Sequence, residues 1–196
     1  MKIVCLVSGG VDSSLLLYLL KKDGNDVLPL YIDYGHKSAK MESNSYLKIC
    51  TFLKIKPLII KFHDIAKISL SGLTHPKLSP VEVPFVPGRN LLFLTIAATY
   101  AYSKAAKIIA IGLLVNPIFP DQTKNFIMGA EKIINSSIGY KVKILTPFIK
   151  LDKREIIRLA KKHNFPLKIT YSCHSGHRKP CGLCTACKER RLAEKI

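Results

Sequence analysis

Seven consecutive residues, Ser8-Gly9-Gly10-Val11-Asp12-Ser13-Ser14, are the most chemically informative run in the chain. Adjacent glycines let a backbone turn tightly and approach an anion with no side chain in the way. Where a helix begins directly after such a turn, its free N–H groups and its macrodipole favour phosphate. The hydroxyls of Ser8, Ser13 and Ser14 add hydrogen-bond donors. Asp12 would repel a bare phosphate and is better suited to a Mg²⁺ ion carried by one. The run lacks the Gly-Lys-Ser/Thr ending of a Walker loop and the spacing of a dinucleotide fingerprint. The competing account is a glycine turn with Ser8 or Ser13 capping a helix.

A second cluster lies near the other end, Cys173-x₇-Cys181-x₂-Cys184-x₂-Cys187. Thiolates two residues apart fold back around one ion, and a fourth from a nearby loop completes a tetrahedron, which suits a closed structural Zn²⁺ site. Arg178, Lys179, Lys188, Arg190 and Arg191 would offset the thiolate charge. Iron–sulfur ligation uses similar spacings, and His174 or His177 could replace one thiolate. The remaining cysteines, Cys5 and Cys50, stand alone and read as buried packing residues. This bias favours a metal site in a reducing cytosol over a disulfide framework.

The elements that must position these residues alternate. Residues 2–7 read as a buried strand and 11–22 as a Leu-rich helix with a cationic last turn and a glycine stop. A strand over 27–33, a helix over 41–53 and a strand over 56–61 follow. Residues 62–87 hold four prolines and mixed polarity, an insertion or long active-site loop. Beyond it come a helix over 89–103, a strand over 107–111, a helix over 121–136, a strand over 143–146 and a helix over 153–163. Crossovers built on helices imply an α/β fold, a five-stranded parallel sheet covered on both faces. Its ligand site is expected at the C-terminal ends of the strands. The domain is read as 1–165 and the tail as 166–196, the tail's folding energy coming from its metal.

Of the 196 residues, 48% are hydrophobic, and 31 basic against 13 acidic side chains leave a net charge of +18. That apolar share excludes wholesale disorder, and no apolar run is long enough to span a bilayer, so a soluble, cytoplasmic protein is expected. The charge invites RNA, but 25 of the basic residues are Lys and six are Arg, spread without a long basic run. Lysine is a solvated point charge, whereas arginine is the bidentate reader of phosphates and bases. A lysine-rich surface with a small polyanionic substrate is therefore favoured over a direct RNA contact.

The loop resembles the signature of the N-type ATP pyrophosphatases, which cleave ATP between the α and β phosphates to adenylate a substrate oxygen. Together with the tail, the chain resembles the 7-cyano-7-deazaguanine synthase family. The resemblance runs in order through Tyr31-Ile32-Asp33-Tyr34-Gly35, Val86-Pro87-Gly88-Arg89-Asn90, Ile111-Gly112, Phe119-Pro120-Asp121, Pro147-Phe148, Lys153-Arg154-Glu155-Ile156 and Tyr171-Ser172-Cys173. It implies a Rossmann-like domain of the adenine nucleotide α-hydrolase type. It also implies an enzyme that uses ATP, Mg²⁺ and ammonia to turn 7-carboxy-7-deazaguanine into an amide and then a nitrile, for queuosine and archaeosine precursors. A homodimer is implied as well.

By that resemblance Ser8, Gly9, Gly10, Val11, Asp12, Ser13, Ser14, Asp33 and Gly112 are expected to bind ATP. Tyr34, Arg89, Asn90 and Asp121 are expected to bind substrate, Asp12, Arg89 and Lys153 to act in catalysis, and Cys173, Cys181, Cys184 and Cys187 to hold the zinc. The chemistry fits these assignments. Arg89 offers a bidentate contact to phosphate or carboxylate, Asn90 donates to and accepts from a purine-like edge, and Asp121 could hold a guanine-like N–H pair or a metal. Lys153 could neutralise charge growing on phosphate. Each has a plainer alternative. Arg89 and Asn90 could simply open a helix, Asp33 and Asp121 could cap one, and Lys153 could pair with Asp152 or Glu155.

The chain departs from the family pattern in two places. His36-Lys37-Ser38 stands where Gln-Arg-His is usual, and residues 113–124 are shortened and lack an arginine, with Lys124 nearby. These segments should touch the acid and not the ATP. A relative that adenylates another acid is therefore one alternative, and a tRNA-modifying member of the same superfamily, suggested by the +18 charge and recognisable by salt-sensitive tRNA binding, is another. An ATP-sensing module akin to universal stress proteins would bind ATP without consuming it.

Overall fold

The computed structural model describes residues 1–115 and 117–195, so Asn116, within the shortened segment, and Ile196 lie outside the described residues. Five parallel strands form one sheet in the order β3-β2-β1-β4-β5: β1 (Lys2–Leu6), β2 (Asp26–Asp33), β3 (Leu58–Lys61), β4 (Ile108–Ala110) and β5 (Lys143–Leu145). Helices α1 (Val11–Lys22), α2 (Ala39–Leu53), α3 (Ile65–Ile68), α4 (Arg89–Ser103), α5 (Lys124–Ile138), α6 (Lys153–Lys162) and α7 (Thr185–Glu194) complete the described elements.

The alternation of β1 explains why both faces of the sheet are covered. Ile3, Cys5 and Val7 pack on one side with Leu15, Leu16, Tyr46, Ile49, Ile156 and Ile157, which brings α1, α2 and α6 to that face. Val4 and Leu6 point the other way, into α4 and α5 through Leu94, Ala97, Ala98, Ala101, Ile127 and Ile134. The three alanines of α4 are fully buried, and their small side chains let that helix lie close to the sheet. Each fully buried Leu or Ile contributes roughly 1.5–3 kcal/mol over leaving it exposed. Cys5 and Cys50 are buried in the first of these clusters, as expected for packing residues.

Two expectations change. The helix expected from residue 121 starts at Lys124, because Pro120–Gln122 forms a 3₁₀ turn and the Thr123 hydroxyl accepts the Phe126 N–H (3.1 Å) as the N-cap. The tail, to which the sequence reading assigned no helix or strand, carries α7, with Cys184 as its N-cap residue. The proline-rich stretch 62–87 is irregular apart from the four residues of α3.

The strand order places a switch point between β1 and β4. After β1 the chain leaves toward β2, and after β3 it returns across the sheet to β4, so the loops following β1 and β4 diverge and leave a crevice at the C-terminal ends. Ligands of open α/β sheets bind at such crevices. Both loops carry residues singled out above, Ser8–Gly10 and Gly112.

Candidate active site

Gly9 has a left-handed φ of +79°, and a Cβ there would collide with the Glu42 carbonyl of α2, so only glycine fits this turn. The Ser13 hydroxyl accepts the Ser8 N–H at 3.1 Å, the Ser8 and Ser13 hydroxyls lie 3.1 Å apart, and Ser8 Oγ accepts the Gly10 N–H at 3.3 Å. The loop is thereby folded onto the first turn of α1, whose N-cap is Gly10 and whose Val11 side chain anchors it in the core. Ser14 is buried, and its hydroxyl has no partner among the described residues. Gly112 approaches from the β4 side, where a Cβ would come within 3.1 Å of the Ser13 nitrogen.

Asp12 and Lys153, far apart in the chain, meet beside this loop. The Lys153 ammonium donates to both carboxylate oxygens of Asp12, at 2.7 and 2.6 Å, and the two side chains are 16% and 24% exposed. Asp152 and Glu155, the partners proposed from sequence proximity, are engaged with each other's backbone in a capping box at the start of α6 (2.8 and 2.7 Å). That leaves Lys153, the first residue of α6, free to reach across.

Arg89 opens α4 after Gly88, and its Nη1 donates to the Tyr34 hydroxyl at 3.2 Å. Asn90 and Asp121 are drawn together: the Asn90 N–H donates to Asp121 Oδ2 (3.1 Å), and its side-chain amide donates to the Asp121 carbonyl (2.9 Å). Asp121 therefore caps α4. Asp33, at the end of β2, accepts the Gly35 N–H (3.0 Å) and lies 2.9 Å from His63 Nε2. Burial alone would raise the Asp33 carboxyl, but the Gly35 N–H and His63 outweigh it and hold it below the ordinary range.

Two adjoining cavities collect these residues. The larger, about 420 Å³, has Asp12, Gly112, Lys153, Arg89, His174 and Glu189 in its wall. The smaller, about 250 Å³, is bounded by Ser8, Ser13, Tyr34, Arg89, Asn90 and Glu42. Gly112, Arg89 and His174 belong to both. Pro84 and Leu73 of the proline-rich stretch wall the larger cavity, and Phe85 stacks on Phe119 at 4.8 Å, tying that stretch to the shortened segment. Asp33 and Asp121 line neither cavity: the Gly35 N–H and His63 engage the Asp33 carboxylate, whereas Asp121 gives Oδ2 to the start of α4 and keeps Oδ1 buried with no partner among the described residues.

Two cavity residues, Glu42 and His174, and His36 behind the cavity wall had no role in the sequence reading, or a different one. Glu42 in the first turn of α2 accepts the Ser38 hydroxyl (2.6 Å) and lies 2.9 Å from His36 Nε2. His36 stacks on the Tyr34 ring, centroids 4.0 Å apart. His174, considered only as a spare metal ligand, reaches both cavities. The one signal in the sequence was position, an acid and two histidines just beyond a strand end and a metal ligand.

The four cysteines converge. Their sulfurs all lie within 4.8 Å of one another, so all four could ligate one ion. The N–H groups of Cys181 and Cys184 donate to Cys173 Sγ (3.3 Å) and Cys181 Sγ (3.4 Å). Burial opposes ionisation of Cys173, yet the Cys181 N–H and Ser175 outweigh it and pull the thiol below its ordinary range, toward the thiolate that binds metal. The tail is bonded to the phosphate loop, the Tyr171 N–H donating to the Gly9 carbonyl at 2.9 Å. Among the described residues no helix is long and apolar enough to cross a membrane.

The family model described as queuosine biosynthesis protein QueC matches residues 2–195. The 7-cyano-7-deazaguanine synthase of Campylobacter jejuni subsp. jejuni serotype O:6 is 35% identical over 211 residues, which cover 100% of this chain and 94% of that protein. A predicted subunit of tRNA methyltransferase from Methanocaldococcus jannaschii aligns with a TM-score of 0.59 at 23% identity, covering 82% of this chain and 76% of the other. A 4-thiouridine synthetase, solved in complex with RNA and bound ATP, aligns with a TM-score of 0.61 at 18% identity, covering 99% and 50%. At such identities the two structures speak for the fold alone. The family match and the curated relative both run the length of the sequence, and the chain belongs to the queuosine biosynthesis protein QueC family.

Proposed function

We propose that this chain uses ATP and ammonia to convert 7-carboxy-7-deazaguanine into 7-cyano-7-deazaguanine, by way of the amide. A carboxylate is a poor electrophile because oxide does not leave. Its oxygen attacks the α-phosphorus of ATP, the bond to the β-phosphate oxygen breaks, and pyrophosphate departs. Ammonia adds to the acyl carbon, AMP leaves with the C–O bonding electrons, and the surplus proton passes to solvent, giving the amide. A second ATP adenylates the amide oxygen, and loss of AMP together with both nitrogen protons leaves the nitrile.

The residues suit these steps. The N–H groups and hydroxyls of Ser8–Ser14 would hold the departing pyrophosphate, and Gly112 keeps the approach to the loop open. The Lys153 ammonium would stabilise charge as it grows on the phosphate oxygens. Arg89, held by Tyr34, would orient the carboxylate or the α-phosphate, with Asn90 beside it. Asp12 is the hard oxygen donor to which Mg²⁺ arriving with ATP would bind, offsetting phosphate charge. Residues 62–87 would exclude water that hydrolyses the adenylate. The four cysteines fit a single structural zinc: Zn–S bonds of about 2.3 Å put tetrahedral sulfurs roughly 3.8 Å apart, compatible with a 4.8 Å span. A four-iron cluster would hold its thiolates farther apart. In this reading residues 1–165 are the ATP pyrophosphatase-like domain and 166–196 its zinc-pinned tail.

The observation that carries the reading is the pair of adjoining cavities that share Gly112 and Arg89, one walled by Asp12 and Lys153 and the other by Ser8 and Ser13, so that phosphate-binding groups adjoin a guanidinium suited to an acid. Mass spectrometry of the protein incubated with ATP, Mg²⁺, ammonium and 7-carboxy-7-deazaguanine tests it. Nitrile and AMP should form, and Asp12→Ala should lower the rate at least ~100-fold. ATP cleavage only with a different acid or with tRNA would overturn the substrate assignment.

A further inference from the structure

Asp121, the carboxylate expected to meet the guanine-like edge of the substrate, lines neither cavity: its Oδ2 accepts the Asn90 N–H at the start of α4, and its Oδ1 is buried with no partner among the described residues. The carboxylate in the wall of the smaller cavity is that of Glu42. Its side chain is 14% exposed, and its two oxygens are fixed by the Ser38 hydroxyl at 2.6 Å and His36 Nε2 at 2.9 Å. Neither clamp is a lysine or arginine. Both come from the segment 36–38, where this sequence departs from the family pattern. Each carboxylate oxygen accepts two hydrogen bonds, so both retain acceptor capacity toward the cavity. Burial opposes the charge of Glu42, but His36, the Ser38 hydroxyl and His174 outweigh it and hold the carboxyl below the ordinary glutamate range. A fixed, largely desolvated anion of this kind is costly unless donors meet it.

The same cavity has a cation at another point of its wall. His36 stacks on Tyr34 with 12° between the rings, and the Tyr34 hydroxyl accepts from Arg89, so a rigid aromatic pair joins the anionic and cationic positions. The proposed substrate has a matching polarity. Its aminopyrimidinone edge presents two adjacent donors, the ring N1–H and the 2-amino group, and its carboxylate projects from another side of the ring. An adenine edge instead presents a donor beside an acceptor, whose lone pair would face the carboxylate.

We infer that Glu42, fixed by Ser38 and His36, reads the two-donor edge of the deazapurine and so determines that a guanine-type ring is seated beside Arg89. The inference rests on the proposed reaction. Steady-state kinetics on the full-length protein with saturating ammonium tests it, using 7-carboxy-7-deazaguanine and its analogue lacking the 2-amino group. In the native protein, loss of that group should raise KM on the order of 100-fold, because the buried carboxylate is left underpaired. Glu42→Gln should raise KM for the full substrate by a similar factor, leave the analogue's KM nearly unchanged, and leave KM for ATP within about twofold. A merely structural glutamate would penalise both acids alike.

Penalties that multiply, or a rise in KM for ATP in place of that for the acid, would overturn the role of Glu42. If Glu42→Gln does not fold, as judged by thermal melting, Glu42→Asp keeps the charge, withdraws it by one methylene and should show the same non-additive pattern. No turnover of 7-carboxy-7-deazaguanine by the native protein would overturn the proposed reaction, and this inference with it. Native turnover with multiplying penalties would strike Glu42 alone.

Discussion

Lys153 and Asp12 are separated by 141 positions, yet the ammonium bridges both carboxylate oxygens beside the phosphate loop. Near neighbours in sequence are the first partners that suggest themselves for a lysine, and Asp152 and Glu155 flank this one. Those two acids are occupied by the backbone groups that begin α6, where capping is worth about 1 kcal/mol, so the lysine is left to the cavity. Lys153→Met keeps the apolar stem and removes the charge. It should lower kcat for pyrophosphate release by about 10²–10³-fold, as for loss of one preorganised donor to a growing oxyanion. Stopped-time pyrophosphate assays at saturating acid would show this, and an unchanged kcat would return Lys153 to a purely structural role. Asp33 and Asp121 differ from Lys153 in lying outside both cavities, each with one carboxylate oxygen held by a backbone N–H, and Asp121 Oδ1 is buried with no partner among the described residues.

The elements that shape the site do so through close backbone contact. The loop after β1 is pressed against α2 at Gly9 and against the β4 side at Gly112, and the tail closes the third side through Tyr171 and the Gly9 carbonyl. Within the tail, Arg190 of α7 donates to the carbonyls of Leu167 and Thr170, and Cys184 starts that helix. The cysteine cluster thus braces the phosphate loop from a distance. Removal of the metal with a chelator should loosen both. A loss of ~3 kcal/mol in a chain of this size corresponds to a Tm drop of roughly 6–12 °C. KM for ATP should rise in parallel. Metal analysis should find one zinc per chain, lost in Cys184→Ser. A phosphate loop that keeps its ATP affinity without metal would separate the tail from the loop.

For the molecule as a whole, acid is the informative stress. Asp33 ends β2 and Glu42 lies in the first turn of α2, and both carboxyls titrate lower folded than unfolded. The unfolded chain therefore takes up more protons as the pH falls. The stability they contribute is complete above the ordinary glutamate value of 4.5 and disappears as pH falls through the lower folded values. Thermal melts between pH 6 and 3 should show Tm dropping below about pH 4.5. Asp33→Asn, which cannot take up the proton, should flatten part of that slope. A Tm that falls with equal steepness in native protein and variant would assign the acid sensitivity to the general positive charge, which stands at +18 at neutral pH.

Periodicity was enough to read the five strands and the helices between them in order, whereas the short α3 and the tail helix α7 lie in segments whose composition gave no such pattern. The phosphate loop and the cysteine cluster were legible, being contiguous or nearly so and needing specific residue types at short spacing. The start of α5 was not, since a proline turn and a threonine cap competed locally for the same few residues. Nor were the Lys153–Asp12 pair and the Glu42–His36–Tyr34–Arg89 arrangement. These join side chains from different strand ends, and their meeting depends on where β4 crosses back beside β1 and how closely Gly9 lets α2 approach. Short-range patterns carry the energetics of local structure, whereas which charged groups share a cavity is settled only when the sheet order brings distant loops together.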